Sequence, residues 1–156
     1  MESAPITSPG VPLPTQEAAG IPREELDAAR VRRASLRRAA AGVRDATGPA
    51  ELSAAADELR QVWTAHIEDT ESPDGMLAQI VQDCPRLSPA VERARAEHGR
   101  IAAALDAVRS RLEPGVELSD GVRSAVEAVL GAVDRHRLDG RQLIYDAYAV
   151  DLGLGG

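Results

Sequence analysis

The stretch "WTAHIEDTESPDG" (Trp63 to Gly75) places His66 one turn after a tryptophan and just ahead of three acids, Glu68, Asp69 and Glu71. The chain has only two other histidines, His98 in "AEHGRI" and His136 in "RHRLDG". Imidazoles with carboxylates close by are the donor set of transition-metal sites, and inside helical bundles such sites are assembled from facing helices. The remaining chemistry-bearing residues offer less. Cys84 is the sole cysteine, Tyr145 and Tyr148 close a helix, and no nucleophile–base pair, phosphate loop or acid–base couple can be named. Catalysis is therefore not expected from the side chains alone, and an oxygen-activating role would depend on a metal.

Whether the histidines can act together depends on the elements that carry them. From Pro22 onward the pattern is helical, broken at "ATGPA" (46–50), "SPDG" (72–75) and "EPGVELSD" (113–120). Pro49 suits the first position of a helix, and Ser88-Pro89 resembles a cap followed by such a proline. Four helices are predicted over about 22–46, 50–71, 89–112 and 120–150, with a short fifth at 76–82. The fold class is all-α, and short connections favour an antiparallel four-helix bundle.

The apolar stripes follow steps of three and four. On the second helix they run Leu52, Ala56, Leu59, Trp63, His66 and Thr70. On the next long helix they run Val91, Ala94, His98, Ile101, Leu105, Val108 and Leu112. The last helix continues Val122, Val126, Val129, Val133, His136, Gly140, Leu143, Ala147 and Val150. All three histidines fall on stripes, a coincidence expected about once in forty if two of seven positions face inward. At ~1.5 Å per residue their depths agree within about one turn, so they should converge on one layer of the bundle interior. The first helix contributes Leu26, Ala29, Leu36, Ala40 and Val43, with Arg33 near the edge. Trp63 is read as core filling, and the two tyrosines as packing and anchoring the end of the last helix.

Composition sets the outer limits. The chain is of single-domain size. Its core material is Ala, Leu and Val, with no Phe and one Trp, and every cation is Arg. A net charge of −7 argues against nucleic acid as a partner. Arg-rich "RVRRASLRR" (30–38) reads as a solvated helix face. No run approaches a membrane span, the N-terminus lacks a signal-peptide pattern, and a lone cysteine suits a reducing compartment, so a cytoplasmic location is expected. Residues 1–21 read as a disordered Pro/Ser-rich tail, 22–152 as the bundle and 153–156 as a loose end.

His66 with its trailing acids, "AEHGRI" and "RHRLDG", in this order and at a common depth, resemble the hemerythrin-like (HHE cation-binding) family. The resemblance covers roughly residues 24–150. It implies a helical bundle built around a di-iron centre. The departures are specific. The first helix has no histidine, and Thr70, Gly140 and Arg141 stand where the family pattern has carboxylates. Glu71 and Asp139 are the available substitutes, five residues after His66 and three after His136. With three histidines and one or two acids the chain falls short of a dinuclear shell.

Two functions remain open. One is a mononuclear centre, non-haem iron or else zinc, on His66, His98, His136, Glu71 and Asp139, binding or sensing O2, NO or a redox ligand. The other is a metal-free degenerate bundle acting as a scaffold for a protein partner. There a buried polar layer would be satisfied by Thr70, Asp139 and Glu71, and Arg33 would stand in for the metal charge.

Overall fold

In the computed structural model, residues 23–113 and 115–149 are described. The expected tail and loose C-terminus lie outside them, as do the side chain of Leu26 and Val150. The described residues are helical, without strands. The helices are α1 (Arg23–Asp45), α2 (Pro49–Glu71), α3 (Met76–Asp83), α4 (Ser88–Arg109) and α5 (Asp120–Tyr148), with a single 3-10 turn over Pro85–Leu87. Each boundary matches its sequence signal within about three residues.

Local chemistry explains the breaks. Pro49 opens α2, and Glu51 reaches back to accept from both the backbone N–H and the hydroxyl of Thr47, at 3.0 and 2.9 Å. Ser119 caps α5 by accepting from the N–H of Val122. Ser88 departs from its expected role. It lies within α4, its hydroxyl donates to the carbonyl of Pro85 at 2.7 Å, and the 3-10 turn runs straight into the helix. Between α4 and α5 the chain turns at Gly115, whose φ of 83° disfavours any side chain.

The four long helices surround a common core. Leu36 and Val43 from α1, Leu59 and Trp63 from α2, Ile101 and Leu105 from α4, and Val129 and Val133 from α5 form its main cluster. A second cluster joins Leu77 and Ile80 of α3 to Val91 of α4 and Leu143 and Ala147 of α5. Burying each large aliphatic side chain contributes about 1.5–3 kcal/mol. His98 and His136 lie between the two clusters along their helices, so the imidazoles form a polar layer between two apolar ones. Ion pairs such as Arg60–Asp106 at 2.8 Å and Arg109–Asp57 at 2.5 Å join α2 to α4. At these exposures they contribute little stability and help set register.

The link from α2 to α3 is tight. A Cβ at Gly75 would stand 2.6 Å from the carbonyl oxygen of Asp69 and 2.7 Å from that of Thr70. Gly75→Ala is expected to push the end of α2 outward, costing about 1–3 kcal/mol in urea unfolding.

At the far end, Tyr148 donates to Asp83 at 3.2 Å and packs on the second cluster, the anchoring role expected of it. Tyr145 instead is 61 % exposed. Cys84 is half-buried, and its thiol donates to the carbonyl of Ala147 at 3.2 Å.

Candidate metal centre

α2, α4 and α5 bring His66, His98 and His136 together. Their ligating nitrogens all lie within 4.8 Å of one another. Nε2 of His136 is 3.1 Å from Nε2 of His98 and 3.2 Å from Nε2 of His66. His98 and His136 are buried and His66 is half-buried.

Two of the other ring nitrogens are held from behind. Nδ1 of His98 is 2.5 Å from Glu71, and Nδ1 of His136 is 2.9 Å from Glu97. Beneath the layer, one turn earlier on α2, fully buried Trp63 packs against all three imidazoles, with ring centroids 5.1–5.7 Å apart. Its indole N–H donates to the backbone carbonyl of His98. Trp63 is thus core filling, as expected, and also the floor on which the rings rest.

Proton counting distinguishes a metal site from a closed polar layer. A carboxylate only accepts, so Glu71 and Glu97 draw the single N–H of each neutral imidazole to Nδ1. The Nε2 atoms of His98 and His136 are then two lone pairs facing each other at 3.1 Å. His66 can supply one proton, to His136, and it leaves the His98–His136 contact without any. Every buried side-chain nitrogen or oxygen among the described residues has a polar neighbour within bonding distance. Here distance is satisfied and proton number is not. A cation bound by all three Nε2 atoms resolves the conflict, and imidazoles held at Nδ1 by carboxylates are the usual support of a metal ligand.

Two of the three nitrogen separations fit such an ion. With metal–nitrogen bonds of about 2.0–2.1 Å, neighbouring nitrogens stand about 2.9 Å apart at a right angle and about 3.3 Å apart at the tetrahedral angle. The separations of 3.1 and 3.2 Å fall between these limits.

The electrostatics keep His66 and His98 deprotonated. The pKa of His66 is pushed down to about 3, by burial first, then by the His98 and His136 rings and the Arg32 guanidinium. Burial also lowers that of His98, against the pull of Glu71. The unfolded chain takes up these protons near pH 6.5, where the folded protein refuses them, so stability falls as pH drops. Metal-free protein should lose up to about 1.4 kcal/mol per pH unit from His66 alone between pH 6.5 and 5. Urea unfolding at stepped pH measures the slope, and His66→Gln should flatten it.

Each predicted site residue can now be placed. The three histidines converge. Glu71, at the last position of α2, joins them from behind His98 and not alongside the Nε2 atoms. Asp139 is exposed and makes no hydrogen bond or ion pair with the described residues; it lines a groove between α4 and α5 together with Glu97. Thr70 donates to the backbone carbonyl of His66, not to a ring. Arg33 is exposed, and the cation acting on His66 is its neighbour Arg32, paired with Asp69 at 3.5 Å.

Glu97 was not singled out in the sequence. Its signal was adjacency to His98: the next residue on a helix points about 100° away, enough to leave the His98 stripe and reach a ring on α5.

A cavity of about 110 Å3 opens against the triad, walled by Leu36, Leu77, Ile80 and Leu143. Ala29, Thr70 and Gly140 also line it. No helix in the described residues is long and apolar enough to cross a membrane. Comparison with protein-family models, with curated proteins and with solved structures returns no match. Three histidines close enough to hold a metal, set in an all-helical fold, thus define the site class on geometry alone.

Proposed function

We propose that this chain is a hemerythrin-like, antiparallel four-helix bundle that binds one divalent metal ion on His66, His98 and His136. The observation that carries the reading is the pair of Nε2 lone pairs facing each other at 3.1 Å while both Nδ1 atoms are held by carboxylates. Iron is the preferred ion. The open side of the triad faces an apolar cavity, which suits O2 or NO better than it suits the polar relay a hydrolytic zinc centre would use. When bound, iron supplies open coordination positions and one-electron redox chemistry. The chain's own residues orient the imidazoles through Glu71 and Glu97, brace them on Trp63 and exclude water with aliphatic walls. The function is binding or sensing of a small diatomic ligand, with no catalytic residue assigned.

A metal-free scaffold is the competing reading. It requires an extra proton between His98 and His136, hence an imidazolium in a layer where burial lowers the basicity of both His66 and His98.

Metal analysis of tag-free protein after anaerobic Fe(II) loading tests the choice. About one metal per chain, lost in His98→Ala, is expected. A folded wild type that retains almost no iron, zinc or manganese would establish the scaffold.

A further inference from the structure

The cavity against the triad occupies the side where the chain lacks additional ligands. Ala29 of the histidine-free first helix, Thr70 and Gly140 are among its walls, and a Cβ at Gly140 would meet nothing within 4 Å. An apolar cavity of about 150 Å3 accepts benzene, so 110 Å3 holds roughly four or five heavy atoms.

Four arginines border this cavity, Arg32 and Arg33 from α1 and Arg137 and Arg141 from α5. Arg32 is paired with Asp69 and Arg137 with Asp134. Arg33 and Arg141 are exposed and have no hydrogen-bond or ion-pair partner among the described residues. Unpaired arginines occur elsewhere on the surface. These two differ in bordering an apolar cavity that has the three imidazoles at its wall.

We propose that the cavity binds a short-chain aliphatic monocarboxylate, its carboxylate on Arg33 and Arg141 and its chain among Leu36, Leu77, Ile80 and Leu143. A bare inorganic anion would gain nothing from the aliphatic walls, and a neutral hydrocarbon would leave the guanidiniums unmatched. The proposal rests on the cavity of the metal-binding reading, where the carboxylate would compete with a diatomic ligand, yet carboxylate binding itself needs no metal.

Calorimetric titration of the full metal-free chain with pentanoate, acetate and pentanol is the test. Pentanoate should bind about tenfold or more tighter than either of the others, since each lacks one half of the recognition. Arg33→Ala and Arg141→Ala should each weaken pentanoate about tenfold and leave pentanol unchanged. Equal binding of acetate would mean a surface anion site, and equal binding of pentanol a plain apolar void; either overturns the proposal, as does no binding of pentanoate at millimolar concentration. Metal content is measured in parallel on Arg33→Ala, so failure of carboxylate binding with metal retained leaves the metal-binding reading standing.

Discussion

Fe(II) or Zn(II) at a hundredfold excess over its dissociation constant should stabilise the wild-type chain by about 2.7 kcal/mol. For a chain of this length that is a rise in Tm of roughly 5–10 °C. The double variant His98→Leu, His136→Leu should show no metal-dependent shift, and its metal-free baseline should lie above that of wild type. The reason is the cost of the layer. Two imidazoles are buried with their Nε2 lone pairs opposed at 3.1 Å. Replacing both partners of a poorly satisfied polar contact with apolar groups of similar size is neutral or stabilising. Glu71 and Glu97 are not stranded by the change, because their side chains retain 31 % and 23 % exposure and can be hydrated. Thermal melts of both proteins, with and without metal, therefore cross. A double variant less stable than metal-free wild type would show instead that the layer is a satisfied polar network, which is the scaffold reading.

Trp63→Ala should be the most damaging single substitution in the protein. The indole is fully buried, belongs to the main core and touches all three imidazoles. Truncating it costs about 3–5 kcal/mol in transfer and cavity terms. Trp63→Phe separates packing from positioning. It keeps most of the volume and removes only the N–H donated to the carbonyl of His98, so its stability loss should be nearer 1 kcal/mol. If the indole braces the rings, Trp63→Phe should still weaken metal binding severalfold, because a loosened donor set pays its ordering at the moment of binding. Urea unfolding and metal titration of the two variants measure the two effects. Unchanged affinity in Trp63→Phe would reduce the residue to core filling.

Much of the fold was legible in the chain because helix boundaries and stripes are local properties. Pro49, Ser119 and the breaks at 72–75 and 113–120 act within a turn or two of where they stand, and the helices begin and end there. The periodicity of Leu52 to Thr70, Val91 to Leu112 and Val122 to Val150 selects an inward face without knowledge of any neighbour. Placing His66, His98 and His136 on those faces at matching depths was enough to bring them together, and their nitrogens meet.

What the sequence could not determine is how far each helix is rotated about its axis and which flank faces which neighbour. Spacing rules rank partners on one helix, which is why Asp139 was the natural companion of His136. The carboxylate bonded to His136 comes from α4 instead, from Glu97, one residue off the His98 stripe. Rotation likewise set Arg32, not Arg33, to act on His66, and put Glu71 behind His98 on another helix although it follows His66 in the chain. The cavity, too, belongs to the assembled helices, since no single helix encodes the gap between Ala29, Thr70 and Gly140. The chain determined which donors meet. The packing of helix flanks, a non-local balance of side-chain volumes, decided what stands behind them and what space is left in front.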